Sequence, residues 1–385
     1  MSKINNRKSS PDYASSQTSI AVTLNFTIAP TIVKNSLATL KYDKDFAHSF
    51  TFDDALSTAI TSGLPTLAGG TADDAVVYPA LYYTDGCGNN KVFRAASAFY
   101  TVNSSGVDLH NGTPSNLTYA QLTTLYNAGW DVINHSWSHA NGTGNTPGYS
   151  LGHPNYPIEI SNNAAAMVSG IGFTWPHFII PAGDINYLPD AILAGMRCIY
   201  NQAGSMFYGG SAGFQIDGIE MERPFELFRI SRQETDTYPT VKSFIDIVAG
   251  KSINGAKYWF NDFTHSLTAS LFNGGMTIAD FANYMGYVAS TYGAAGTDRV
   301  WMAPLQEVWE YIYLREKTIL GVPLISGSSA TFSVNHNVAS STARRYAWTI
   351  KITSDQNVSS VTVPTGYTAT FRGTGTNRII NIEKQ

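Results

Sequence analysis

The sequence predicts an α/β domain built on a largely parallel sheet, followed by a small all-β domain. Three observations predict it. Apolar runs of strand length alternate with helix-period segments over most of the chain, the pattern of repeated βα units. The residues best suited to chemistry, Asp53-Asp54 and His135, stand where such strands end, and in parallel α/β folds functional groups gather at the C-terminal ends of strands. After Leu320 the helix period disappears and short alternating runs take over.

Taken in order, Ile20, Val22, Leu24, Phe26 and Ile28 share one face of a half-buried strand,. It lies ahead of the α/β region and is free to pair with a later β domain or with a neighbouring chain. Phe46 to Phe52 reads as a strand ending in Asp53-Asp54, and 61–90 as a long Gly-, Ala- and Asp-rich excursion. Val92 to Val102 holds another buried strand. Thr118 and Gln121 make a capping-box pattern ahead of the stripe Tyr119, Leu122, Leu125 and Tyr126, and Gly129 stops that helix,. Asp131 to Asn134 is the strand that delivers His135.

Further strands are expected at 178–183, 197–200, 226–231 and 257–263, with helices at 188–195, 239–249 and 304–317. The segment 321–330 is Gly/Ser-rich and linker-like. Beyond it, runs such as Tyr346, Trp348, Ile350 and Ile352 alternate as in a small β-sandwich-like domain,. The expected division is an N-terminal extended segment (1–38), a main domain (39–320) and an all-β domain (321–385).

With 385 residues, the chain is long enough for one large domain and an accessory one,. Charged residues make up 14%, low against the usual ~25%, so the surface is rich in Ser, Thr, Asn, Gly and Tyr. The net charge of -4 and the lack of a basic block argue against a nucleic-acid partner,. No apolar run is long enough for a membrane span, and the polar stretch from Met1 to Gln17 carries no signal-peptide core,. Cys87 and Cys198 form no CxxC pair and are either a disulfide or two free thiols,.

The chemistry centres on Asn134-His135-Ser136-Trp137-Ser138-His139. Two histidines four apart, read as the first turn of a helix, project their imidazoles from one face as a pincer for a divalent metal. A catalytic zinc site usually takes three protein ligands, and Asp53-Asp54 can supply the third. One carboxylate then binds metal and the other acts as a base. The plain alternatives are a hydrogen-bonded histidine pair and an Asp helix cap. His48 is read as structural, and His110, His153, His177 and His336 as loop or surface residues.

Thr51-Phe52-Asp53-Asp54 and His135-Ser136-Trp137-Ser138-His139 resemble the first two motifs of the NodB-homology polysaccharide deacetylases, carbohydrate esterase family four. The resemblance runs over roughly 40–318. It implies a distorted (β/α) barrel of fewer than eight regular units, with the all-β domain appended. Residue by residue, it makes Asp54, His135 and His139 the metal ligands and Asp53 the general base. His265, in Phe263-Thr264-His265, becomes the late catalytic histidine, and Pro181 and Ala182 border the substrate and its oxyanion. The implied cofactor is a divalent metal, Zn2+ first, with Co2+, Ni2+ or Mn2+ as alternates. The implied substrate is an acetylated glycan, N-acetyl before O-acetyl.

The sequence departs from the family in two places, the third-motif Arg and the aspartate that tunes the catalytic histidine. Ile179 stands where the third motif has an Arg that steadies the base. Arg229 or Arg232 either substitutes from another strand or forms a surface salt bridge. Asp236 and Asp262 are equal candidates to tune His265. The competing function is a carbohydrate-binding or virion structural protein that keeps the fold without turnover. Action outside the cytoplasm follows from the substrate class, and a virion component would need no signal peptide. The N-terminal strand and the all-β domain offer routes to a homo-oligomer or larger assembly.

Overall fold

The computed structural model describes residues 18–203, 214–215, 225–231, 238–268 and 275–385. Among the described residues, seven parallel strands close on one another in the order Phe46–Phe52, Ala96–Phe99, Asp131–Asn134, His177–Ile179, Cys198–Ala203, Phe225–Ser231 and Tyr258–Thr264, the last pairing with the first. Val300–Met302 adds alongside the first half of Phe46–Phe52, and Phe214–Gln215 pairs antiparallel with Tyr258–Thr264. The α/β class and the parallel sheet are as expected from the alternating pattern, and the curl of the sheet is as the family resemblance implied.

Every residue of Phe46–Phe52 is buried. That explains why the strand reads as near-continuous apolar sequence rather than as an alternation. Its end is fixed by ring packing, Phe52 stacking on Trp130 with centroids 5.6 Å apart. Helices cover the outside of the sheet. Tyr119–Asn127 begins with the capping box read from the sequence, Thr118 and Gln121 each bonding the other's backbone N–H. Two helices not foreseen, Tyr156–Ile171 and Ile278–Tyr292, complete the layer.

The expected small C-terminal all-β domain is not built from the C-terminus alone. One sheet interleaves Thr18–Phe26 between Ser329–His336 and Val358–Thr362. The other pairs Val33–Leu37 with Ala347–Ser354, followed by Arg378–Lys384 and Tyr367–Arg372. The face Ile20, Val22, Leu24 and Phe26 joins Trp348, Ile350 and Ile382 in one core, while Ile28 lies past the strand and is exposed. The segment expected as a linker contains a hairpin, Leu324–Ser326 against Ser329–His336, turning at Gly327 with φ 55°, where glycine avoids the Cβ penalty.

Buried ion pairs tie the two parts together. Lys41 Nζ lies 3.1 Å from Glu307 and 3.0 Å from Glu383, and Arg345 Nη1 lies 2.7 Å from Asp131. Cys87 and Cys198 are both free. Among the described residues no helix is long and apolar enough to cross a membrane.

Candidate metal centre

Asp53 and Asp54 follow directly from Phe46–Phe52 in a tight turn, Asp53–Ala55. Asp54 (φ 68°) and Ala55 (φ 48°) are both left-handed. Asp accepts that conformation more readily than Ala, which carries a steric cost. The turn is held from outside: Leu117 donates its N–H to the Ala55 carbonyl at 2.8 Å, and the Asn116 amide reaches the Asp54 carbonyl at 3.4 Å. Asp53 is 2% exposed.

The expected helical pincer is corrected here. His135 and His139 lie in a loop, and Ser136 and His139 both take positive φ. Side chains capture the backbone N–H groups that a helix would use, the known competition between local polar groups and helix. Asn134 Oδ1 accepts from Ser136 N, Ser136 Oγ accepts from His139 N, and Glu159 Oε2 accepts from both Trp137 N and Ser138 N. Asn163 bonds Asn134 Oδ1 and the Phe99 carbonyl, so Tyr156–Ile171 braces the loop at two points one helical turn apart.

The loop nevertheless converges the two imidazoles. His135 Nε2 and His139 Nε2 each lie 3.5 Å from Asp54 Oδ1. The ligand atoms of Asp54, His135 and His139 all fall within 4.8 Å of one another. His135 Nδ1 is 2.9 Å from the Ile179 carbonyl. A carbonyl only accepts, so Nδ1 carries the proton and, in the neutral ring, Nε2 presents its lone pair. Burial, then the neighbouring His135, lowers His139 to about 4, which keeps that ring neutral at pH 7. Burial works to raise the Asp54 carboxyl. Its contact with His135, and the nearby imidazoles of His139, His135 and His265 wherever they are protonated, outweigh that and hold it well below the usual carboxylate range.

The cluster thus sets one carboxylate oxygen against two imidazole nitrogens. Asp54 Oδ1 is buried without a hydrogen-bond donor, and a bound cation would satisfy an acceptor in that position. Ligand atoms about 2.0–2.1 Å from one tetrahedral ion stand about 3.4 Å apart, close to the two 3.5 Å separations. The residues fit a divalent metal with nitrogen and oxygen ligands.

The other expected site residues are placed unevenly. His265 follows Tyr258–Thr264, and its charge acts on both Asp54 and His139. Pro181 and Ala182 form the turn Pro181–Gly183, just past the Ile179 carbonyl that holds His135. Arg229 lies on Phe225–Ser231 opposite Gln202. Arg232 and Asp236 lie outside the described residues. The Asp262 carboxylate meets His48 Nε2 at 3.1 Å and the Tyr284 hydroxyl at 3.0 Å, so His48 belongs to a buried structural network.

Several residues escaped the sequence reading. Glu159 and Asn163 are fully buried beneath the histidine loop. Tyr100 lies beside His139, ring centroids 5.3 Å apart, and burial followed by the Asp54 charge pushes its hydroxyl up to about 12. Glu159 sits in the first turn of a helix that the sequence reading did not predict, and even there an acidic residue reads as dipole compensation. Of the histidines expected as loop or surface residues, His153 lies in an exposed loop and His110 in a turn, but His110, His177 and His336 are buried at 2%, 0% and 5% exposure, the last two in strands. His110 is held by the Leu117 and Tyr100 carbonyls, and His177 by the Tyr200 hydroxyl.

Neither a family model nor a curated protein matches the sequence. Among solved structures, the chain is similar to the Streptococcus pyogenes deacetylase PplD in complex with acetate, at 13% identity and TM-score 0.29, over 47% of this chain and 63% of that one. It therefore spans less than two thirds of that protein's length. It is also similar to the family 4 carbohydrate esterase from Streptomyces lividans in complex with acetate (16% identity, 56% of this chain, 91% of that one, TM-score 0.27). A third is the peptidoglycan deacetylase PdaC from Bacillus subtilis (14% identity, 68% and 89%, TM-score 0.31). By name these are the deacetylases and esterases that the two sequence motifs resemble.

Proposed function

We propose that the chain is a metal-dependent hydrolase that removes acetyl groups from a polysaccharide. The observation that carries this reading is Asp54 Oδ1 held 3.5 Å from two imidazole nitrogens, with the buried carboxylate of Asp53 next to it in the same turn. Asp54, His135 and His139 would hold the ion, zinc being the first choice for a His/His/Asp set. When bound, such an ion lowers the pKa of water and polarises a carbonyl.

Asp53 takes the proton of the attacking water. His265 returns a proton to the leaving amine or sugar oxygen, and acetate departs. Each such proton transfer is worth ~10²–10⁴-fold. The Pro181–Gly183 turn offers the Ala182 N–H towards the developing oxyanion, since Pro181 has no N–H to give. Arg229 and Arg232 are the candidates to steady Asp53 in place of the missing third-motif Arg. N-acetyl hexosamine is the first substrate and O-acetyl sugar the second. Such glycans imply action outside the cytoplasm, at a cell surface or from a virion.

A second reading, a glycan-binding or virion structural protein with the metal site but without turnover, is favoured by Ile179 occupying the Arg position. Acetate release from paired N- and O-acetylated oligosaccharides by the zinc-loaded chain separates the two. Release from either series supports the enzyme and identifies the linkage. Bound metal without release from any substrate supports the second reading.

A further inference from the structure

A second cleft, of about 490 Å3, lies at the opposite end of the barrel strands. Arg94 stands just before Ala96–Phe99 and Lys41 before Phe46–Phe52, whereas Asp53 and His135 follow the other ends of strands in the same sheet. Strands of four to seven residues separate the two ends by about 13–23 Å. The far wall of the cleft is the all-β part, through Tyr346, Ala347, Glu383 and Lys384.

Six cations line this cleft: Lys41, Lys91, Arg94, Arg344, Arg345 and Lys384. Only Glu307 and Glu383 line it with negative charge. Asp131 and Glu310 stand behind them, 2.7 Å and 3.9 Å from Arg345. Six positive groups stand against three carboxylates and Glu310, whose carboxyl is raised to about 7, so the excess is at least two. The excess has a definite location. Lys41, Arg94 and Arg345 are paired with carboxylates at 2.7–3.1 Å. Arg344 donates to the Trp130 and Tyr126 carbonyls. Lys91 and Lys384 make no ion pair within 4.0 Å among the described residues, although the Lys91 charge reaches the Glu383 carboxylate. Their ammonium groups lie 5.9 Å from the Tyr42 ring and 5.1 Å from the Tyr346 ring.

Uncompensated positive charge in a concave, partly dry site concentrates anions. Tyr42, Tyr82 and Tyr346 line the same space; Tyr82, 38% exposed, offers an apolar face with a polar edge, and Tyr42 and Tyr346, 4% and 7% exposed, offer only a margin of theirs,. The volume falls in the range of small-molecule sites. We propose that this cleft binds one acidic sugar unit of a glycan, a carboxylated or phosphorylated residue, with Lys91 and Lys384 facing its anionic group and the tyrosines its ring. It is a binding site separate from the acetyl-cleaving centre.

Calorimetric titration of the full chain with glucuronic acid, glucose 6-phosphate, glucose and inorganic phosphate tests this. Both acidic sugars, or one of them, should bind at least about tenfold more tightly than glucose and than inorganic phosphate, with affinity falling as salt is raised. The stronger of the two distinguishes a carboxylate from a phosphate ligand. The double variant Lys91→Ala, Lys384→Ala should lose about tenfold or more of that affinity, with an unchanged melting temperature and unchanged acetate release from a small acetylated substrate. No binding of either acidic sugar at millimolar concentration overturns the proposal. So does glucose or inorganic phosphate binding equally well, or full affinity in the double variant. None of these outcomes bears on the catalytic reading, because the readout is binding at the other end of the barrel.

Discussion

Glu159 holds Ser138 at both ends: its Oε2 accepts the Ser138 backbone N–H at 2.8 Å, and its Oε1 accepts the hydroxyl at 2.5 Å. One of the three residues between the two histidines of the cluster is therefore fixed by a buried carboxyl group on a neighbouring helix. Groups that orient metal ligands without touching the metal typically change affinity 10–100-fold when altered. Glu159→Gln should weaken zinc binding by about that factor, because an amide NH2 would then oppose one of the donors. Competition with a chromophoric chelator measures it, and unchanged zinc affinity would mean that the loop holds its shape without Glu159.

Asp53 and Asp54 are adjacent but unequal. Only Asp54 belongs to the three-residue cluster. Asp53→Asn should leave the zinc content at wild-type level and lower kcat by about 10²–10⁴-fold. Metal analysis and acetate assays on one preparation check both halves. A wild-type kcat would remove Asp53 from the role of base.

The start of helix Tyr119–Asn127 also supports the Asp turn, through Leu117 N to the Ala55 carbonyl at 2.8 Å. Thr118→Ala breaks the capping box and should cost about 1 kcal/mol of stability. Urea denaturation reads that loss. A change below a few tenths would show that Gln121 alone satisfies the helix start.

Glu310 provides a pH test remote from the metal cluster. Burial, only partly opposed by Arg345, raises its carboxyl to about 7 from an ordinary value of 4.5. Between those values the folded chain holds a proton that the unfolded chain has released, so this group's contribution to stability falls as pH rises through the window. Burial lowers His177 to about 3, which has the opposite sign, stability rising with pH from about 3 towards 6.5. Comparison with Glu310→Gln cancels the histidine. The stability of the variant minus that of wild type should rise by about 1–3 kcal/mol from pH 4.5 to above pH 7, read by denaturation at a series of pH values. A flat difference would place Glu310 in the ordinary carboxylate range.

Much of this fold was legible because the signals were local. Asp131–Asn134 and Phe46–Phe52 are short buried runs with clear ends, and Thr118 with Gln121 is a start signal that needs no tertiary information. Asp54, His135 and His139 were legible as residue types at strand ends. Their backbone was not. A spacing of four suggests a helix, but Asn134, Ser136 and Glu159 take the backbone N–H groups that a helix would have used. Helix Tyr156–Ile171 was hidden for a related reason, since it turns polar residues, Glu159 and Asn163, inward to brace that loop. The all-β part draws strands from both ends of the chain, and Val33–Leu37, with only alternate burial over five residues, carries too little pattern to announce itself. Buried His110 and His177 look like surface residues in sequence because their partners, the Leu117 carbonyl and the Tyr200 hydroxyl, are brought to them by the fold.

The central claim is that Asp54, His135 and His139 hold a metal on which deacetylation depends. Its most direct test is acetate release from an N-acetylated glucosamine oligomer, measured before chelation, after chelation and after zinc is restored, for wild type and Asp54→Ala. Wild type should lose activity with the chelator and regain it with zinc, and Asp54→Ala should release no acetate in any condition. Release that survives chelation, or that persists in Asp54→Ala, would contradict the account.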